Sequence, residues 1–233
     1  MRYMIHTCRE RRWYVNEFLI PSMLEQGIDR NIIDVWVDSN GDGNLVTTME
    51  CFRDIGREYD PDDGIWHLQD DIVISKRFKE QTEAHDDGIV HGFSCKEFDG
   101  KNVNAVGRVS QWFSWFSFPC IRIPNRLADE CAEWYRNEVK FNDLYPELTA
   151  ENKHDDLLWK HFLETKHTDI YVYNLIPNIV DHVDYLIGGS LVNKQRNGIR
   201  TAYYWSETEI VDDLKKKLAL KNSGKTKKRF KIS

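Results

Sequence analysis

Asp70 and Asp71 are adjacent carboxylates set between an apolar lead-in (Ile65, Trp66, Leu68) and a β-branched run (Ile72, Val73, Ile74). Such a run reads as a buried strand, and the stretch with the two aspartates as the third strand of the chain. Two ionised carboxylates cannot enter it unpaired, because each would lose its hydration. They need a cation, a cluster of donors, or an opening to water. A strand end facing a crevice is where open α/β sheets bind ligands. A hard divalent ion would satisfy both charges with oxygen donors and bridge to phosphates. The plain alternative is a polar turn between two strands.

A second acidic pair, Asp155-Asp156, opens a helix expected to run to about Thr165. Asp155 precedes Leu158, Trp159 and Phe162 at helical spacing, so it shares the apolar face and points inward. The helix dipole partly offsets the cost of a carboxylate there.

These residues need a scaffold. Tyr3–Thr7 reads as a first strand, Trp13–Gln26 as a helix that Pro21 should kink, and Ile32–Val37 as a second strand. Strand, helix, strand implies a right-handed parallel unit. Its carboxyl edge would carry Arg9, Arg11, Arg12 and Asp38, with solvent claiming at least two of the three arginines. Asn44–Tyr59 reads as a crossover helix, Ser75–Ala84 as a short helix, Gly88–Phe93 and Cys120–Pro124 as strands, and Asn125 as the cap of a helix to about Val139. Phe98–Asn102 reads as a hairpin turn. The aromatic run Gln111–Pro119 reads mainly as core, with any exposed part free to stack on sugars or bases.

Asp38-Ser39-Asn40-Gly41-Asp42-Gly43-Asn44 begins like a calcium loop, but the twelfth position is Met49 and Glu50 falls one residue late. It reads as a turn. A calcium- or polyanion-binding module built on this loop and the basic terminus is the non-enzymatic alternative.

The chain has 233 residues and a net charge of −6. That suits one domain with an appendage. Aromatics at 12% argue against disorder of the body. No apolar run approaches membrane-spanning length, no secretory signal is evident, and five scattered cysteines form no Cys-x-x-Cys pair, which reads as reduced thiols in a cytoplasmic protein. From Lys215 onward lie eight Lys, one Arg and no acid, leaving 23 basic against 38 acidic residues upstream. The expected division is a body at 1–214 and a basic, solvated, flexible tail at 215–233 that would favour polyanions if it binds anything.

The stretch Trp66-His67-Leu68-Gln69-Asp70-Asp71-Ile72 resembles the metal-binding Asp-x-Asp segment of GT-A-type glycosyltransferases, with Gln69 where many members carry an acid. Pro177–Tyr185, followed by Gly188-Gly189-Ser190, resembles the late Pro…His segment that closes those domains, with Asp184 where Gly is usual. The resemblance runs in short patches to about Tyr204. It implies an α/β fold with a GT-A-like (Rossmann-like) mixed sheet flanked by helices. It further implies transfer of a sugar from a nucleotide-sugar donor, UDP-sugar first, to an acceptor hydroxyl. Asp71 and His182 would hold a divalent metal, Mn2+ or Mg2+. Thr7, Arg12 and Asp38 would bind base and ribose, and Asp70 or Gln69 ribose or donor sugar. Lys194 and Arg196, with Arg200, would grip the diphosphate. In an inverting reaction Asp155 or Asp156 would be the base, and retention stays open. A glycan, a protein, or a hydroxymethylated DNA base, as in phage enzymes acting in the host cytoplasm, would be the acceptor, DNA being reached through the basic tail.

Overall fold

The computed structural model describes residues 1–94, 107–109, 118–139, 155–167, 170, 172–189 and 201–229. Its strands are β1 (Arg2–Cys8), β2 (Ile33–Asp38), β3 (Gly64–Gln69), β4 (Ile72–Ile74), β5 (Ile89–His91), β6 (Gly107–Val109), β7 (Cys120–Pro124), β8 (Val172–Asn174) and β9 (Val180–His182). Its helices are α1 (Arg12–Tyr14), α2 (Ile20–Glu25), α3 (Asn44–Glu58), α4 (Phe78–Ala84), α5 (Asn125–Trp134), α6 (Asp155–Lys166) and α7 (Thr208–Arg229). Seven strands form one mixed sheet in the order β2-β1-β3-β7-β5-β8-β6, while β4 and β9 form a separate ribbon. The architecture is α/β, a mixed sheet flanked by helices, as the sequence led us to expect. No helix among the described residues is long and apolar enough to cross a membrane.

Alternation along β1 builds the two faces. Tyr3 and Ile5 join Tyr14, Leu19, Met23, Phe78, Val211 and Leu214 in one core, under α1, α2, α4 and α7. Met4 joins Leu45, Phe52, Ile55, Leu127, Trp159 and Phe162 in the other, under α3, α5 and α6. β1 lies between β2 and β3 and is parallel to both, pairing Cys8 with Asp38 and His6 with Gln69. Pro21 does not break its helix. It sits in the first turn of α2, where its missing N–H is not needed, and a π-helical turn at Val15–Leu19 carries the chain into it.

Three expectations need correction. Asn125 is the first residue of α5 rather than its cap, and its amide donates to the carbonyl of Asp60 at 2.7 Å. The boundary drawn after residue 214 falls inside α7, which runs unbroken to Arg229. Lys221 stacks on Trp13 at 3.9 Å and pairs with Glu17 at 2.5 Å, tying that helix to the first one. The third concerns the stretch read as one strand at the acidic pair, where the alternative of a turn between two strands holds. It is two strands, with β3 ending at Gln69 and β4 crossing to pair antiparallel with β9, Ile72 opposite His182. Consecutive residues of one strand point to opposite faces. Only a break lets Asp70 and Asp71 turn toward the same partner.

Candidate active site

The break lies at the carboxyl edge of the parallel strands β1 and β3. Asp70 turns toward the end of β1, where its Oδ2 accepts from the Thr7 hydroxyl at 2.8 Å and the Cys8 N–H at 3.3 Å. Asp71 turns toward β9. Its carbonyl accepts the Val183 N–H at 2.8 Å, and its Oδ2 lies 3.3 Å from His182 Nε2. The ring's other nitrogen, Nδ1, lies 3.1 Å from Asp184 Oδ1. The β4–β9 ribbon is thus what brings residues more than a hundred positions apart into one cluster.

Arg11 occupies the centre. The loop after β1 turns it inward, and it is only 6% exposed. Its Nη1 donates to Asp70 Oδ1 at 3.0 Å and, in a very short contact, to Asp71 Oδ2. Its Nη2 donates to the Gly189 carbonyl at 2.6 Å. Gly189 holds φ +81°, a conformation that favours glycine and aims that carbonyl. Arg9 and Arg12 are exposed, so Arg12, the expected nucleotide contact, stands outside this cluster. The signal for Arg11 was available: it lies three and four residues before the buried Tyr14 and Val15, on their side of the first turn.

The charges settle accordingly. Burial opposes the Arg11 charge, but Asp71 and Asp70 outweigh it and keep the guanidinium firmly protonated. Burial also raises Asp71, yet His182 and Arg11 hold its carboxyl well below the usual range. Burial and the Asp71 charge push Asp70 upward against Arg11 and Thr7. Burial would lower His182, but Asp71 and Asp184 carry it up to about 9.

One donor atom each from Asp71, His182 and Asp184 lie within 4.8 Å of one another, all three residues buried. Asp71 Oδ1 is a buried acceptor with no hydrogen-bond partner among the described residues. Two carboxylates and an imidazole suit a divalent ion such as Mn2+, and carboxylates suit Mg2+. The donor set therefore fits a metal, on condition that His182 gives up its proton. Asp184 is the member that the sequence reading passed over. Its only signal was the pair of acids flanking His182.

Gln69 and Asp155 form a second centre on the opposite face of β3. Asp155 Oδ2 accepts from Thr48 Oγ1 at 3.2 Å and Gln69 Nε2 at 3.3 Å, and its Oδ1 accepts the Asp156 N–H at 3.0 Å. Burial first, then the Asp156 charge, raise the Asp155 carboxyl to about 7. His6 completes the network, with Nε2 3.1 Å from Thr47 Oγ1 and Nδ1 3.4 Å from Thr48 Oγ1. Burial lowers His6 to about 4, so it is neutral at pH 7. This arrangement explains the amide at position 69: an acid there would face Asp155 within hydrogen-bonding distance. Asp156 is half-buried and sits outside the Thr48–Gln69 cage.

Asp38 ends β2 at the same edge, where its Oδ1 accepts the N–H groups of Asn40, Gly41 and Asp42 at 3.2, 2.7 and 3.4 Å. That oxygen closes its own loop. With that oxygen spent on the loop's own backbone, the calcium alternative is not favoured. Lys194, Arg196 and Arg200, the hairpin turn at Phe98–Asn102 and the aromatic run up to Ser117 lie outside the described residues.

No protein-family model matches the chain. No curated protein matches it. Among solved structures, S. aureus TarS 1-349 aligns at 14% identity and TM-score 0.46, covering 80% of this chain and 62% of that one. TarS in complex with UDP-GlcNAc aligns at 15% identity and TM-score 0.41, covering 77% and 57%. A glycosyltransferase involved in glycosylation of the major capsid of PBCV-1 aligns at 9% identity and TM-score 0.35, covering 74% and 93%. This chain spans about three fifths of the TarS structures. Likenesses of this depth carry no argument about chemistry, which rests on the side chains described above.

Proposed function

We propose that this chain is a GT-A-like, metal-dependent glycosyltransferase that moves a sugar from a nucleotide-sugar donor to an acceptor hydroxyl. The observation that carries the reading is the convergence of Asp70, Asp71, His182 and Asp184 at the carboxyl edge of β1 and β3, with an unused buried oxygen on Asp71. That edge is where open α/β sheets take nucleotides.

Asp71 and His182 would hold a divalent cation, Mn2+ or Mg2+, with Asp184 beside the ring. The bound ion would supply charge neutralisation for the departing diphosphate. Thr7 and Asp38 stand at strand ends suited to the base and ribose, and Asp70 is fixed by Thr7 for the ribose or sugar side. In the reaction the acceptor oxygen bonds to the anomeric carbon as the bond from that carbon to the diphosphate breaks. The acceptor's proton goes to Asp155, whose carboxyl near 7 is matched to base catalysis at neutral pH. Gln69 ties this base to the segment that bears the acidic pair. Lys194 and Arg196 complete the proposal as diphosphate ligands.

The decisive experiment is a panel of UDP-, GDP- and TDP-sugars scored by thermal shift and by sugar release, with Mn2+ and with chelator. Metal-dependent turnover of one donor supports the assignment; full turnover in excess chelator removes the metal from it. For the acceptor, the basic run of α7 makes DNA one candidate beside glycan and protein. Binding to duplex DNA that weakens steeply with salt, and less steeply once Lys215, Lys216 and Lys217 are neutralised, would support DNA.

A further inference from the structure

Arg11 is the feature that the proposed reaction leaves unused. A buried guanidinium sits on the oxygens of the very carboxylates that would hold a cation. It bridges Asp70 Oδ1 and Asp71 Oδ2 with one nitrogen and spends the other on the Gly189 carbonyl. Its three contacts tie the loop after β1, the break between β3 and β4, and the segment after β9. Three carboxylates, Asp70, Asp71 and Asp184, meet here, all buried, with Arg11 the one permanent cation beside the ionisable ring of His182. Buried carboxylates left without a cation would be strongly destabilised. The guanidinium therefore does for the metal-free protein what a divalent ion would do for the loaded one.

We propose that Arg11 is a built-in counter-ion, a positioning residue that keeps the acidic pair assembled without metal and in doing so sets the affinity of the Asp71/His182/Asp184 cluster for a divalent cation. The inference rests on the proposed metal site. Two physical effects act together. Asp71 Oδ2 is already engaged by Arg11, so an incoming ion must share that oxygen or use Oδ1. A fixed positive charge a few ångströms away also repels any second cation. Removing it adds a full negative charge to the site at the same oxygens, and the charge count of a carboxylate site tunes its affinity. Even with the screening of bulk water, a single charge acting on a divalent ion at this range changes affinity on the order of tenfold. Arg11→Lys keeps the charge but loses the fork that reaches both aspartates and Gly189.

The test is binding of Mn2+ alone, read by electron paramagnetic resonance and calorimetry, to the full chain and to Arg11→Gln and Arg11→Lys. We expect Arg11→Gln to bind Mn2+ about tenfold or more tightly than wild type, and Arg11→Lys to stay within roughly threefold of it. Arg11→Gln should also melt lower than wild type in chelator and regain most of the difference in saturating Mn2+. Equal Mn2+ affinity in wild type and Arg11→Gln overturns the role of Arg11 while leaving the metal site standing. Absence of Mn2+ binding in all three proteins overturns the metal site itself, and this inference with it. Should Arg11→Gln not fold alone, recovery by refolding with Mn2+ supports the inference, and failure with and without Mn2+ overturns it.

Discussion

Replacing Asp155 by asparagine removes a charge from an enclosed site, and its effect has a definite sign. The wild-type carboxyl is raised by burial and by Asp156 to about 7, against about 3.9 in an unhindered chain. Between those values the folded protein keeps a proton that the unfolded chain has released. Stability therefore falls as pH rises through this window and levels off above it. At 1.36 kcal/mol per pH decade the whole loss is on the order of 4 kcal/mol, of which about 3 falls between pH 5 and 8. Asparagine does not ionise, so the loss disappears. It also keeps the local bonds: its carbonyl can take the Asp156 N–H, and its amide faces the Thr48 hydroxyl and the Gln69 amide, each of which can turn an acceptor toward it. Urea unfolding of both proteins at pH 5, 6, 7 and 8 isolates this carboxyl, because the other titrating groups cancel in the difference. Asp155→Asn should gain on wild type steadily with pH and be the more stable protein at pH 8, while sugar transfer is lost because an amide cannot take the acceptor's proton. A difference in unfolding free energy that does not change between pH 5 and 8 would refute the raised carboxyl. Undiminished transfer would remove Asp155 from the mechanism.

Asp71→Ala should lower metal-dependent donor turnover by roughly a hundredfold or more while near-ultraviolet circular dichroism stays native, since Arg11 retains Asp70 and Gly189. Gln69→Glu places a second carboxyl against Asp155, so its loss of stability relative to wild type should be larger at pH 8 than at pH 5.5, in urea titrations at the two values. Gly56→Ala would put a Cβ 2.3 Å from Asp129 Cβ where α3 crosses α5. Overpacking there should cost about 1–3 kcal/mol, seen as a lower urea midpoint with unchanged slope. Truncation after Leu214 cuts through α7 and removes the Lys221 contacts with Trp13 and Glu17, so it should lower the melting temperature.

What the sequence made legible was local. β1, β2 and α3 announce themselves by periodicity, and Asp155 by its spacing from Leu158, Trp159 and Phe162, which does bury it. The acidic pair was found because two charges beside an apolar run demand a partner. The partner's identity was harder to read. Arg11 and Arg12 are neighbours of the same chemistry, and only the turn after β1 decides which enters. The β3–β4 break stood only as an alternative because Ile72, Val73 and Ile74 look alike whether they continue one sheet or join another. That choice belongs to β9, more than a hundred residues on. α7 was obscured by its lysines, although Val211, Leu214 and Leu218 recur at helical spacing and pack on the first core.

The two-stranded ribbon makes the ligand set a matter of parity. His182 faces Asp71 because Ile72 stands opposite it in an antiparallel ladder. Its neighbour Asp181 takes the backbone N–H of Ala202 at 2.6 Å and of His182 itself at 2.9 Å. Side chains alternate along a strand, so a slip of one residue that set Asp181 opposite Ile72 would carry His182 to the other face. It would bring a carboxylate to the cluster and set Val180 against the N–H of Ala202, which would lose its acceptor. Point substitutions can only grade the strength of such a site. A single-residue insertion ahead of Val180 would change its kind, replacing a carboxylate–imidazole set by an all-oxygen one. The register of three residues is thereby the setting that separates two metal preferences.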